Sequence, residues 1–198
     1  MSLVTEQATT LLELDGASVP VVLYAGGTTG LVLLAGGEPH RAFCAHLGEL
    51  AEAAGLSAHA FAHETPGDAA LAAARSAELL GRLGVEQTVI VAVGDDAGAA
   101  LRAAATGAFA AVVLVGPAVA PAEVEGLLAE ATAPKLVLVL AADEVGQAAA
   151  AAVQRHAIGP LVVRHVPGEE LMSGETAAMV AEATIAFAIG TCGDGSGA

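Results

Sequence analysis

The sequence predicts an α/β protein whose mostly parallel sheet carries helices on both faces. Short runs rich in Val, Leu and Ile alternate with Ala-rich stretches of helical length, an order typical of parallel strands joined by helices. Hydrophobic residues make up 55% of the 198 residues, which is enough to bury both faces of such a sheet. Because a domain takes roughly 150 residues, we expect residues 1–198 to form a single domain.

Eight apolar runs have the length and composition of strands. These runs are residues 10–14, 18–25, 31–35, 57–62, 87–93, 110–115, 135–140 and 161–166. Asp15 and Gly16, between the first two runs, form a favoured pair for a two-residue turn. We therefore expect the sheet to begin with an antiparallel hairpin.

Six Ala-rich segments between the later strands are predicted to be helices. They are residues 39–54, 68–83, 97–106, 122–131, 144–156 and 174–189. The last segment, residues 190–198, is rich in Gly and is predicted to be a flexible, frayed tail.

The charge of the chain excludes several classes of partner. It has 22 acidic and 7 basic side chains, so its formal net charge is −15. Phosphate neutralisation requires clustered Lys and Arg, so neither nucleic acid nor an anionic membrane is expected as a partner. The uncharged windows 16–37 and 103–122 are interrupted by Gly, Pro and Thr, and we expect strands and turns there rather than membrane spans. No basic segment precedes an apolar one at the start, which favours a cytoplasmic protein.

The cysteines and histidines do not have the spacing of a metal site. Cys44 and Cys192 are far apart and are expected to be free thiols. Zinc needs three or four converging ligands, and neither of two short clusters supplies them. The clusters are His40, Cys44 and His46, and His59, His63 and Glu64. We therefore predict no metal and no cofactor.

The loops at the carboxyl ends of the predicted strands are the place to look for a site, because parallel sheets bind ligands there. Each of these loops contains a small residue or an acidic one. They read AGGEPH (35–40), HETPGD (63–68), GDDAG (94–98), GPAVAP (116–121), AADEV (141–145) and PGEEL (167–171).

Five segments in the same order resemble the α/β-hydrolase superfamily over nearly the whole chain. They read LVLLAGGEPHRAF, AFAHETPGD, AELLGRLGVEQTVIVAVGDDAG, AAVVLVGPA and PKLVLVLAAD. The resemblance implies a sandwich with about eight strands. The family commonly inserts a lid after the sixth strand, whereas residues 119–133 leave room for one short helix. We therefore expect no lid and an uncovered apolar cleft.

The resemblance places the family's nucleophile elbow at GDDAG, with Asp96 between Gly94 and Gly98. Such a turn holds its central residue in a strained conformation. An Asp there resembles haloalkane dehalogenases and epoxide hydrolases, and the backbone N–H groups of Gly37 and Ala97 would be the oxyanion donors. The alternative is a plain strand-to-helix turn in which Asp95 caps the helix.

The rest of the catalytic triad departs from the family pattern. The acid position falls on Asp143, with Glu144 as the alternative, but the His position holds Leu171 and the oxyanion-loop His is replaced by Ala35. Two other histidines could supply the missing imidazole: His40, just after the oxyanion loop, and His63, at the end of the fourth predicted strand. The pocket is expected to be lined by Ala35, Gly36, Glu38, His63, Glu64, Asp95 and Leu171.

Without the family's His, an aspartyl ester has no base to clear it. The leading hypothesis is therefore a non-hydrolytic acid–base catalyst, performing elimination or cyclisation on a mostly apolar small molecule in bacterial natural-product biosynthesis. Asp96 would carry the proton, with Asp143 and His40 as the other catalytic residues. One alternative is a catalytically inactive hydrolase homologue that binds a small molecule or acts as a scaffold, and another is a hydrolase that uses a displaced His. The uncovered cleft also predicts a homo-oligomer.

Overall fold

A computed structural model describes residues 8–14, 17–24, 26–62, 66–168, 170–171 and 174–193. In this part of the chain, eight strands form one sheet. They are β1 (Ala8–Leu14), β2 (Ala17–Tyr24), β3 (Thr29–Ala35), β4 (Ser57–Ala62), β5 (Gln87–Val93), β6 (Ala111–Val115), β7 (Lys135–Leu140) and β8 (Leu161–Val166). The strand prediction is confirmed, with differences of one or two residues at some ends.

The strands lie in the order β1-β2-β4-β3-β5-β6-β7-β8. β2 is antiparallel to both β1 and β4, and the remaining neighbours are parallel. The register places Leu14 opposite Ala17, which agrees with the predicted hairpin. The turn residues Asp15 and Gly16 themselves lie outside the described residues.

Six α-helices connect or follow the strands in the described residues. They are α1 (Glu38–Ala53), α2 (Pro66–Arg82), α3 (Ala97–Ala105), α4 (Pro121–Leu128), α5 (Glu144–His156) and α6 (Gly174–Gly193). The six predicted helices are confirmed. The predicted tail is partly wrong, because α6 continues through Gly193, and residues 194–198 lie outside the described residues.

Both faces of the sheet are buried, as the continuous apolar strands predict. Along β5, Ile90 and Ala92 belong to one core cluster, which also contains buried residues of α2, α3, α4 and α5. Val89, Val91 and Val93 belong to the other cluster, on the face covered by α1 and α6. Many helix residues in the first cluster are Ala, and their small side chains let the helices pack close to the strands.

Helix α6 is long and apolar enough to cross a membrane by length and composition alone. Its window Gly174–Cys192 has a mean hydropathy of 1.2, and 33% of that window is buried. The helix contacts α1 and the strands β3, β6, β7 and β8. It therefore packs as an outer helix of the sandwich, with Met179 and Ile189 left exposed.

The segment between β6 and β7 holds one short helix, α4, as predicted. No inserted layer therefore lies between these two strands, and the carboxyl edge of the sheet is built from the connecting loops. These loops position the candidate site.

Candidate functional site at the carboxyl edge of the sheet

The turn after β5, residues 94–98, has a different geometry from the one the sequence predicts. Gly94 has a φ of +60°, whereas Asp96 has a φ of −75° and a ψ of −8°, which are ordinary right-handed helical values. Residues Gly94–Asp96 form a single 3-10 turn. The expectation of a strained Asp96 is therefore wrong: the left-handed residue is the glycine directly after the strand, where no Cβ opposes that conformation.

Because the left-handed residue is Gly94 rather than Asp96, the turn does not hold a side chain above the sheet in the way the family's elbow does. In the family that the sequence resembles, the nucleophile sits on the strained residue so that its side chain is exposed above the sheet. Here the left-handed residue is Gly94, which has no side chain. The imidazole of His40 lies over it, because a Cβ on Gly94 would be 3.0 Å from His40 Cε1.

The carboxylate of Asp96 points into the protein rather than out of it. Asp96 is only 3% exposed, and its Oδ2 accepts a hydrogen bond of 2.8 Å from the backbone N–H of Gly36. A Cβ on Gly36 would lie 3.2 Å from the same oxygen, so glycine permits this close approach. Asp96 thereby joins the carboxyl ends of β3 and β5.

The two predicted oxyanion donors, the N–H groups of Ala97 and Gly37, lie in different surroundings. The N–H of Ala97 donates to Gly94 O within the 3-10 turn, and the N–H of Ala118 donates to the same carbonyl at 3.0 Å. The Ala97 donor is thus engaged inside the turn. Gly37 is the N-cap of α1 in an extended conformation, and its role as a donor stays a prediction.

A buried thiol, which sequence reasoning did not connect with the site, lies near Asp96. Cys44 is 1% exposed, and its Sγ donates to the carbonyl of Leu34 at 3.8 Å. Burial raises the pKa of Cys44 to about 12, and the negative charge of Asp96 adds to the increase. A thiol with so high a pKa is not a nucleophile at neutral pH. Helical spacing four residues after His40 is the sequence signal that connects it with this edge.

The side chains of Asp143 and Leu171 both approach Gly116, at the end of β6. A Cβ on Gly116 would lie 2.4 Å from Leu171 Cδ1 and 4.0 Å from Asp143 Oδ2. Asp143 also caps α5, since its Oδ1 accepts from the N–H of Gly146 at 3.0 Å. An apolar side chain therefore lies beside the candidate acid, and the carboxylate has a structural task as the N-cap.

The other predicted site residues are distributed around this edge. Asp95 and Glu144 are exposed to solvent. Ala35 ends β3 and Glu38 begins α1, whereas His63 and Glu64 lie outside the described residues. Among the side chains that the structure describes, no group of three or more His, Cys, Asp or Glu could hold a metal ion.

A cavity of about 380 Å³ opens between the loop after β6 and the start of α5. It is lined by Ala118, Val119, Ala120, Pro121, Glu144, Val145 and Ala148. The loop is held to the turn after β5 by the hydrogen bond from Ala118 to Gly94, so the cavity adjoins that turn. The sequence analysis placed six of these residues in two loops at the strand ends, 116–121 and 141–145, but singled out only Glu144, and it did not include Ala148. The signal was the uncharged loop GPAVAP after a buried strand.

Comparison with known proteins identifies the fold. No protein-family model matches the sequence, and no curated protein matches it. Several solved structures match with high TM-scores and low sequence identity. One is the dienelactone hydrolase from Anabaena variabilis, with a TM-score of 0.77 and 17% identity, covering 94% of this chain and 98% of that one.

Two esterases give similar values. Est1E from Butyrivibrio proteoclasticus has a TM-score of 0.75 and 13% identity, covering 93% of this chain and 99% of that one. The esterase domain of a Rhodothermus marinus protein has a TM-score of 0.71 and 16% identity, covering 92% of this chain and 98% of that one. At this level of identity the likeness establishes the fold.

Proposed function

Starting from its α/β-hydrolase fold, we propose that this chain is a non-hydrolytic binding protein that holds an apolar small molecule at the carboxyl edge of its sheet. The observation that carries the proposal is the turn after β5. Its left-handed residue is Gly94, and the neighbouring Asp96 is buried against the Gly36 N–H. A nucleophile at this position would need an exposed side chain and a nearby base.

Other features of the site support the same proposal. The N–H of Ala97 is hydrogen-bonded within its own turn, so it does not point at a developing oxyanion. Leu171 approaches the point where Asp143 also lies, and a leucine cannot transfer a proton. The left-handed residue of the turn, the Ala97 N–H and the residue at the imidazole position thus all differ from what hydrolysis in this family needs.

An ester substrate tests this proposal directly. We expect no multiple turnover of p-nitrophenyl acetate above that of a heat-denatured sample. Steady turnover that is lost in Asp96→Ala or in His40→Gln would contradict the proposal, and loss in His40→Gln would specifically favour a hydrolase that uses a displaced His. The Asp95→Ala variant is the control, because Asp95 is exposed on the same turn.

A second candidate function is acid–base catalysis of elimination or cyclisation on an apolar natural-product intermediate. Two groups favour it: the His40 imidazole lies over Gly94, and the Asp96 carboxylate follows two residues later. Either group can accept a proton from carbon if substrate reaches it. Asp96 and His40 would be the catalytic residues, with Asp143 as their orienting acid.

The probe for this second candidate is 5-nitrobenzisoxazole, which opens when a base removes one proton from carbon. The binding-protein proposal predicts a rate equal to that with the denatured sample. The catalytic candidate predicts acceleration that disappears in Asp96→Asn, a change that keeps the side-chain volume but removes the proton-accepting carboxylate.

We further propose that the protein is cytoplasmic and that two copies associate. Exposed apolar side chains support association with a second copy: Met179 and Ile189 on α6 are 42% and 45% exposed, and Val162 on the edge strand β8 is 41% exposed. The net charge of −15 opposes association, so the complex should strengthen with salt. A light-scattering mass near 19.2 kDa at both low and high salt would contradict this proposal.

A further inference from the structure

We infer that the ligand is an apolar molecule with a cationic amine head, seated in the cavity between the loop after β6 and α5. This inference rests on the proposed binding function and adds to it the position of the ligand and its chemical class. The cavity volume of about 380 Å³ accommodates a small bicyclic ring system with a short side chain.

The walls of the cavity favour an apolar body. Val119, Pro121 and Val145 line it together with three alanines, and Val145 is 62% exposed. A valine so exposed beside a concave surface gains by contact with an apolar ligand, because that contact removes both surfaces from water.

The charge around the cavity favours a cationic head. Glu144 is the charged residue among those that line it. A nearby basic side chain, that of Arg102, is paired with Glu123 at 3.0 Å. The start of α5 would attract an anion, but the Asp143 carboxylate already accepts the N–H of Gly146 there. Glu144 then adds a second carboxylate, so a ligand carboxylate would meet two like charges.

Three naphthalene probes of nearly equal size distinguish the contribution of the apolar ring from that of the polar group. They are 1-naphthylmethylamine, 1-naphthalenemethanol and 1-naphthaleneacetic acid. Their dissociation constants are measured by NMR chemical-shift titration at neutral pH. We expect the amine to bind about three- to fivefold more tightly than the alcohol, the range of a partly exposed ion pair, and about tenfold more tightly than the acid. Glu144→Gln should remove the preference of the protein for the amine over the alcohol.

Two matched substitutions on α5 locate the ligand. Ala148 lines the cavity, whereas Ala151 is exposed on the same helix and lies outside the cavity lining. Ala148→Phe should abolish amine binding and Ala151→Phe should leave it unchanged, with equal melting temperatures for both variants. Unchanged binding in Ala148→Phe would overturn the position of the site.

The outcomes separate this inference from the proposed function. If the acid binds as tightly as the amine, the cationic class is wrong; if none of the three probes binds, the cavity is not the ligand site. Neither result bears on hydrolysis or elimination, which the ester and 5-nitrobenzisoxazole assays measure separately. Turnover in those assays would contradict the binding function even if the amine binds in the cavity.

Discussion

The two ends of the sheet each bury a charged side chain, and they hold it in different ways. At the amino end, Lys135 begins β7 and is 0% exposed. Its Nζ donates to three carbonyls, those of Ala131 at 2.5 Å, Ala133 at 2.8 Å and Ile158 at 3.0 Å. At the carboxyl end, the Asp96 carboxylate is 3% exposed and accepts from the N–H of Gly36.

At the amino end, the buried charge has a purely structural role. The Lys135 ammonium has three N–H donors, and each meets a backbone carbonyl from the loops before β7 and β8. The same burial lowers the pKa of Lys135, since desolvation penalises the charged form. Asp96 also joins two strand ends, but it does so among glycine loops that border a cavity. Burial alone therefore does not identify a catalytic carboxylate.

Loss of the buried Lys135 ammonium at the amino end should reduce stability the most. Lys135→Met removes three hydrogen bonds and leaves buried carbonyls without their donor, so the free energy of unfolding should fall by about 3 kcal/mol. Urea denaturation measures the change. Arg155→Met is the control, because Arg155 is exposed and its Nε donates to the carbonyl of Ala151 on its own helix at 3.2 Å. This substitution should cost less than about 0.5 kcal/mol. If the free energy of unfolding fell equally in the two variants, Lys135 would have no special structural role.

The next prediction concerns Asp96 at the carboxyl end, and urea denaturation again measures the change in stability. Asp96→Ala removes the acceptor of the Gly36 N–H and should lower the free energy of unfolding by about 2 kcal/mol. Asp96→Asn keeps an oxygen that can accept from Gly36 and should cost roughly half as much. If both variants were as stable as the wild type, Asp96 would have no structural role, and the acid–base candidate would become the stronger one.

A pH titration tests whether the Cys44 thiol, which lies near Asp96, is shielded from water. The pKa of Cys44 rises from 9.0 to about 12 on folding, so the unfolded thiol loses its proton first. The stabilising effect is fully present below pH 9 and is lost progressively as the pH rises towards 12. By pH 10 the wild type should lose about 1.4 kcal/mol more than Cys44→Ala, measured by urea denaturation at several pH values. Parallel curves for the two proteins would show that the thiol is hydrated.

The N-cap of α5 should contribute the least to stability among these features, and two substitutions of Asp143 separate its capping oxygen from its charge. Asp143→Ala removes the N-cap of α5 and should cost about 1 kcal/mol. Asp143→Ser keeps a capping oxygen and should restore most of that loss. A serine variant as unstable as the alanine variant would mean that the charge of Asp143, rather than its cap, stabilises this edge.

The positions of the strands and helices follow from local patterns in the sequence. Continuous apolar runs such as residues 87–93 and 135–140 form strands because both faces of a parallel sheet are buried. The Ala-rich segments form helices because alanine has the highest helical propensity. Both properties depend on residues close together in the chain, so strand and helix positions could be predicted from local patterns.

The conformation of the turn after β5 and the partners of its side chains could not be predicted in this way. The motif GDDAG is compatible with a strained Asp96 or a left-handed Gly94, and the choice depends on where β5 ends and which loops pack on the turn. Asp96 bonds to Gly36, sixty residues away in sequence, and the carbonyl of Ile158 reaches Lys135 across twenty-three residues. Contacts of this range depend on how the strands are ordered in the sheet, and local propensity carries no information about them.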